Sequence, residues 1–446
     1  MKGARQAIQR GAPQEAERGL RTGKGILNGG QLVEGTLLLA EALQEQGQWA
    51  ESLDSLDSCP RCEEQEDTFR SFVLSCLARR FLGRFESEDS SEIVQQLTQV
   101  SELAQSERTR ARGLLTGALI ASSTKCARAI QSLLATAATL PPSSQEDIQT
   151  DVTLARALLY AHSANAKKSR ETLAPAVEAL RKKPGGMITG ALFNAMGAVQ
   201  CALGSYEEAL PEFQTAYNIA IALGNESLMC ATAGNASLCC ARLGRHKEQL
   251  SWGEIAVRRM FTSYSGFREL MCCYYRAHGL AMLGQFDAAV DAINLNEVRL
   301  PSSIVAWQRQ AWMLYKADVY QLSRRPRNAL EIGRNAVTGD YRKLLAASTA
   351  GPYARWLALT ALAGERQAAI ATIEQLVERL ADFDALDQLE ILCALNVLRG
   401  NQRGNRARMR ISQRSLAERL VDFPPAIAIQ LQLLNVLNGP APMSPP

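Results

Sequence analysis

The chain has 446 residues, with 49 basic against 45 acidic side chains, a formal charge of +4 and 47% hydrophobic residues. That is enough apolar material for a core, which excludes a disordered or fibrous chain, and the near-neutral balance argues against a dedicated nucleic-acid binder. Only three histidines occur in the whole sequence, leaving little room for histidine-based metal or acid–base chemistry.

Along the chain, the first segment carries Lys2, Arg5, Arg10 and Arg18 with no apolar run behind them. A secretory signal is therefore not expected, and residues 1–30 read as a lead or a first helix. No later stretch reaches the ~18 to 20 strongly apolar residues of a membrane span. Cys59-Pro60-Arg61-Cys62 is the one local motif with chemistry in it. Such a pair can be a redox dithiol or half a zinc site. A thioredoxin-type context and two further zinc ligands are both missing, so Cys59 and Cys62 read as part of an inter-helix turn. The 11 cysteines are odd in number and irregular in spacing, and several (Cys201, Cys230, Cys239, Cys240, Cys272 and Cys273) are set in apolar helical contexts. This is the usage of free buried thiols in a reduced, cytoplasmic protein.

Internal repetition is the informative feature. Leu203-Gly204, Leu243-Gly244 and Leu283-Gly284 are spaced by 40, and the same step lands on Arg324 and Gly364. Five residues after these anchors stand Ala209, Gln249, Ala289, Ala329 and Ala369, where two crossing helices need a small side chain. Backwards, the step gives Ala164 and Thr124, and Gly83 and Gly47 follow only with shifts of one and four residues. The phase is thus best over 190–370.

Around each turn two apolar stripes have helical period: Leu192, Phe193, Met196, Val199 and Leu203 before Gly204, and Ala209, Leu210, Phe213, Ala216 and Ile219 after it. Leu223-Gly224-Asn225 then ends the unit, with Gly as C-cap and Asn225 as N-cap. The expectation is an all-α fold, an α–α superhelix of roughly nine to ten helical hairpins of about 40 residues, because one hairpin cannot bury both its faces alone. The array is read over 31–400, followed by capping helices with an Arg-rich face over 401–438 and a Pro-rich tail over 439–446.

The pattern small-x-x-Leu-Gly-x-aromatic-x-x-Ala, with Tyr206 and Phe286 as the aromatics and Gly197, Ser237, Ala277 and Ala317 midway along the preceding helix, resembles the tetratricopeptide repeat. The unit is six residues longer than the standard one. With the phrase 222–245 it is more similar to the superhelical sensor region of maltose-activator-like bacterial transcription regulators. That resemblance implies an NTPase and a helix-turn-helix nearby. Neither is readable: Gly23-Lys24-Gly25 is the nearest fragment of a phosphate loop, and it lacks the upstream glycine and the following Ser or Thr.

The resemblance also places the first helix of each hairpin on the concave surface. Counting from the anchors, the lining residues include Asn194, Tyr274, His278, Asp318 and Gln321, a groove suited to an extended peptide or helix. No cofactor, metal or catalytic residue is expected. Arg406, Arg410 and Arg414 fall on one helical face and form a possible anion-binding strip, or else the solvated side of a cap. The functional expectation is a non-enzymatic scaffold binding a protein or peptide partner. The alternative is a sensor module of a transcription or signalling system whose NTPase or DNA-binding parts lie on another chain.

Overall fold

The computed structural model describes residues 1–82, 90–124, 127–140, 143, 145–163, 165–181, 185–260, 267–297, 306–336, 350–378, 391 and 394–395. Arg406, Arg410 and Arg414, the expected capping helices and the Pro-rich tail lie outside these residues. The elements are α1 Lys2–Gln9, α2 Pro13–Gly23, α3 Gly29–Glu45, α4 Trp49–Asp57, α5 Gln65–Phe81, α6 Ser90–Leu103, α7 Glu107–Thr124, α8 Ala127–Thr139, α9 Glu146–His162 and α10 Ala166–Leu180. They continue as α11 Met187–Ala202, α12 Tyr206–Leu223, α13 Glu226–Arg242, α14 His246–Met260, α15 Phe267–Met282, α16 Phe286–Glu297, α17 Ala306–Leu322, α18 Pro326–Ala336, α19 Ala350–Thr360 and α20 Arg366–Glu378. No described residue belongs to a strand. The architecture is an all-α array of tetratricopeptide-like helical hairpins, and α1 and α2 pack on each other and on α3.

The turns obey the forty-residue step. Gly204, Gly244, Gly284 and Gly364 have φ of 82°, 69°, 77° and 105°, and Arg324, at the one anchor without a glycine, has φ 61°. The N–H of Gly244 reaches the Ala241 carbonyl while that of Arg245 reaches Cys240, and the same pair of bonds recurs at Gly284–Gln285 and Arg324–Arg325. This double bond pattern closes a helix through a left-handed residue, a conformation that costs most side chains about 1–2 kcal/mol. At Arg324 the guanidinium lies 5.1 Å from the Phe286 ring centre, a cation–π contact that offsets part of that cost.

A second regularity lies beside the turn. Gly197 and Ala209, Ser237 and Gln249, Ala277 and Ala289, and Ala317 and Ala329 are each twelve residues apart, and all eight are buried. The same spacing appears in the first half of the chain, at Ala40 and Ser52 and at Ala157 and Ser169, where the periodicity had slipped. At Gly197 an added Cβ would lie 2.7 Å from the Phe213 ring, so the two helices touch there. Where the small residue is serine, its hydroxyl donates across the crossing: Ser52 to Ala40 O (3.1 Å), Ser169 to Ala157 O (2.8 Å) and Ser237 to Gln249 O (2.8 Å).

The chain divides into two units. The first comprises Met1–Gln200, Glu208–Ala233 and Arg258–Ser265, and the second Cys201–Glu207, Gly234–Val257 and Gly266–Pro446. In the first, α3 touches α5, α5 touches α7 and α7 touches α9, so successive first helices line up side by side. Contacts also reach further than the next hairpin. Trp49, Leu53 and Leu77 share a core with Met187 and Leu223, and Trp49 stacks on Phe81 at 4.0 Å. Asn225, the N-cap of α13 through Leu228 N–H (2.9 Å), also donates its amide to Glu45 O (2.9 Å). In the second unit α15, α17 and α19 follow one another in the same side-by-side manner.

Gly284 has open space where a Cβ would go, so Gly284→Ala isolates the backbone cost. It is expected to lower the stability of the full chain by about 1 kcal/mol in urea unfolding. No change would mean that the left-handed turn is not required there.

Candidate partner-binding face

The first helices carry charge on the faces they turn toward one another. In the first unit, Arg70 on α5 donates from Nη1 to Glu34 Oε2 (2.6 Å) and from Nε to Glu41 Oε1 (2.9 Å), both on α3. Arg112 on α7 donates to Asp151 Oδ2 on α9 (3.0 Å). Arg5 adds a contact of 2.5 Å to the other oxygen of Glu34. Each arginine thereby spans two hairpins, which burial of a charge requires if the charge is not to go unpaired.

Glu45, at the end of α3, accepts the Met187 N–H at 2.5 Å. Burial raises its carboxyl above the ordinary range, only partly opposed by Arg112 and by that N–H. For Glu41 burial pushes the same way, but the Arg70 charge and hydrogen bond outweigh it and hold the carboxyl low. The side chains of Glu34, Glu41, Arg70 and Arg112 keep 18–20% of their surface exposed, whereas Asp151 keeps 4%. This strip is therefore sealed at its Asp151 end and reachable along the rest.

The second unit has a counterpart. Tyr274 on α15 donates its hydroxyl to Asp318 Oδ2 on α17 (2.7 Å), and Arg355 on α19 grips both oxygens, Nε to Oδ1 at 2.7 Å and Nη2 to Oδ2 at 2.9 Å. Asp318 is fully buried. Burial would raise its carboxyl, but the Arg355 guanidinium holds it below the usual range. Tyr274 stacks on Tyr315 at 4.3 Å and meets His278 edge-on at 5.7 Å.

The His278 ring is bridged by Gln249 to His246. Gln249 Nε2 donates to His278 Nδ1 (3.0 Å) and to Tyr275 O (2.7 Å), while its Oε1 faces His246 Nδ1 at 3.0 Å. Since an amide nitrogen only donates, His278 Nδ1 is the acceptor of a neutral ring. Burial pushes His278 down to about 3, in agreement. Gln249 is thus the residue that breaks the run of alanines at the helix crossing, and its amide fills that place with hydrogen bonds.

Of the five expected groove residues, Tyr274, His278 and Asp318 come together in this buried cluster. Gln321 lies half-buried one turn beyond Asp318 on α17, and Asn194 is half-buried on α11 in the other unit. Arg355, Gln249 and the Glu34–Arg70–Arg112–Asp151 strip were not among the expected residues. The readable signal for the strip was opposite charges separated by close to one repeat, 36 residues for Glu34–Arg70 and 39 for Arg112–Asp151. Among the described residues no group of three or more His, Cys, Asp or Glu is placed to hold a metal ion, and no described helix is long and apolar enough to cross a membrane.

No family model matches the chain, and no curated protein does. Among solved structures the chain is similar to a Rap protein complexed with competence and sporulation factor, at 13% identity and TM-score 0.49 over 78% of this chain and 96% of that one. It is also similar to a signal-transduction ATPase with numerous domains and a tetratricopeptide repeat sensor from Pyrococcus horikoshii, at 12% identity and TM-score 0.41. That match covers 88% of this chain and 55% of the ATPase. The Cut9–Hcn1 hetero-tetramer of APC/C is similar at 12% identity and TM-score 0.26, over 76% of this chain and 87% of that one.

Two substitutions separate the roles in the cluster. Asp318→Asn leaves Arg355 without its counter-charge and is expected to cost about 3 kcal/mol of stability, read by denaturant unfolding. His278, neutral when folded and protonated when unfolded below its ordinary 6.5, makes the wild type lose stability as pH falls from about 6.5 toward 4. His278→Gln is expected to flatten that loss, by up to about 1.4 kcal/mol per pH unit. An unchanged slope would remove His278 as the titrating group.

Proposed function

We propose that this protein is a non-enzymatic scaffold whose first helices capture an extended protein or peptide segment, with the main contact strip along α3, α5 and α7. The observation that carries the reading is the residual exposure of Glu34, Glu41, Arg70 and Arg112. These are polar groups held in fixed positions across three helices, able to exchange one partner for a group on an incoming chain without further ordering cost. Mixed charge at fixed spacing favours selection by charge pattern over affinity from apolar area. In this reading Tyr274, His278 and Asp318 hold their hairpins in place and do not touch the partner, while Asn194 in the first unit and Gln321 in the second are half-buried polar groups, each on its own unit.

The similarity to a Rap protein in complex with a signalling factor and to an ATPase with a repeat sensor suggests two kinds of client, a peptide or a companion signalling chain. Affinity capture with the full chain distinguishes them. Arg70→Met/Arg112→Met is expected to reduce recovery of the bound partner at least tenfold, the loss of about 1.4 kcal/mol or more from partly exposed charge contacts, while Tyr274→Phe recovers it like the wild type. Equal recovery by the folded double variant would overturn the assignment of the strip. Recovery of a chain carrying an NTPase or helix-turn-helix would assign the sensor role.

A further inference from the structure

Cys59 and Cys62 sit between the end of α4 and the start of α5, with Cys59 N–H closing the helix onto Leu56 O (3.0 Å). Both side chains pack from the outside on the cluster of Val33, Leu37, Ala40, Leu56 and Leu74. Both are partly exposed, unlike Cys76, Cys201, Cys230, Cys239, Cys240, Cys272 and Cys273, which are buried. Their two thiols are neighbours, and the Cys59 S–H favours the Cys62 thiolate. We propose that Cys59 and Cys62 form a reversible dithiol–disulfide site in the turn between α4 and α5, oxidised by exchange with a low-molecular-weight disulfide such as oxidised glutathione.

Proximity alone does not distinguish this pair, since Cys201 and Cys239 are also neighbours, with the Cys239 S–H donating to Tyr206 O at 2.9 Å. Access does. Cys201 is 8% exposed and Cys239 not at all, so a reagent disulfide cannot approach either sulfur in line, as exchange requires. At the α4–α5 turn it can.

The chemistry balances as two exchanges. The Cys62 thiolate, steadied by the S–H of Cys59, attacks the reagent disulfide, forming a mixed disulfide and releasing one thiolate. Cys59 then loses its proton, attacks Cys62 Sγ and releases the second thiolate. The pair is oxidised by two electrons, the reagent is reduced to two thiols, and two protons leave the cysteines. Burial and the neighbouring Asp67 raise the Cys62 thiol above its ordinary value. The exchange is therefore slow at neutral pH and speeds up as pH rises, the behaviour of a site governed by thiolate fraction.

The test is equilibration of the full-length protein with mixtures of reduced and oxidised glutathione, followed by alkylation and peptide mass mapping. A Cys59–Cys62 disulfide is expected at ratios that leave the seven buried cysteines alkylatable only after denaturation. Cys59→Ser should accumulate a stable glutathione adduct on Cys62, and Cys62→Ser one on Cys59. The proposal fails if the pair stays dithiol in fully oxidised glutathione, or if oxidation spreads equally to the buried thiols.

Discussion

Within each unit first helices lie side by side, α3, α5, α7 and α9 in the first and α15, α17 and α19 in the second, and that placement takes their charged faces out of bulk water. Charge so placed has to be answered by the next hairpin, because an unpaired buried ion costs several kcal/mol. Arg70 answers Glu34 and Glu41, Arg112 answers Asp151, and Arg355 answers Asp318. Glu34, Asp151 and Asp318 stand 36, 39 and 37 residues from their arginines, close to one repeat, and Glu41 stands 29 from Arg70. The consequence is mutual dependence: a hairpin removed or rotated leaves an exposed apolar stripe and also a stranded charge on its neighbour.

The same placement divides the polar groups by what they can do. Asp318 is sealed, clamped by a guanidinium and a phenol hydroxyl, and its network reads as a joint between three helices. Glu34, Glu41 and Arg70 keep part of their surface, so they combine the joint with a surface on which an incoming chain can compete. Glu45 and Asn225 add a further constraint in the first unit. They tie the end of α3 to Met187 and to the cap of α13, far beyond the nearest hairpin.

How far this was legible in the sequence depends on which interaction fixed each feature. The turns were legible because a left-handed residue favours glycine, and the forty-residue step placed even Arg324, whose φ follows its position in the repeat against its own preference. The crossing residues were legible for the second half, and Asn225 as a cap. In the first half the phase was lost, since the forty-residue step lands on Ala164 and Thr124 and not on glycine, while the small pair Ala157 and Ser169 keeps the spacing. Counting along the repeat put Tyr274, His278 and Asp318 on one face, yet gave no hint that they close on one another. That depends on Arg355, 37 residues on from Asp318, and on Gln249, which stands where the other repeats have alanine. The arginine–carboxylate strip leaves no local pattern, because its partners stand in different hairpins; only a search for opposite charges about one repeat apart would have found it.

Amide hydrogen exchange read by mass spectrometry on the intact chain, wild type beside Asp318→Asn, addresses this dependence between neighbouring hairpins. The account predicts faster exchange in peptides from α15, α17 and α19 together, because the carboxylate joins all three. Loss of protection confined to α17, with α15 and α19 exchanging as in the wild type, would contradict it.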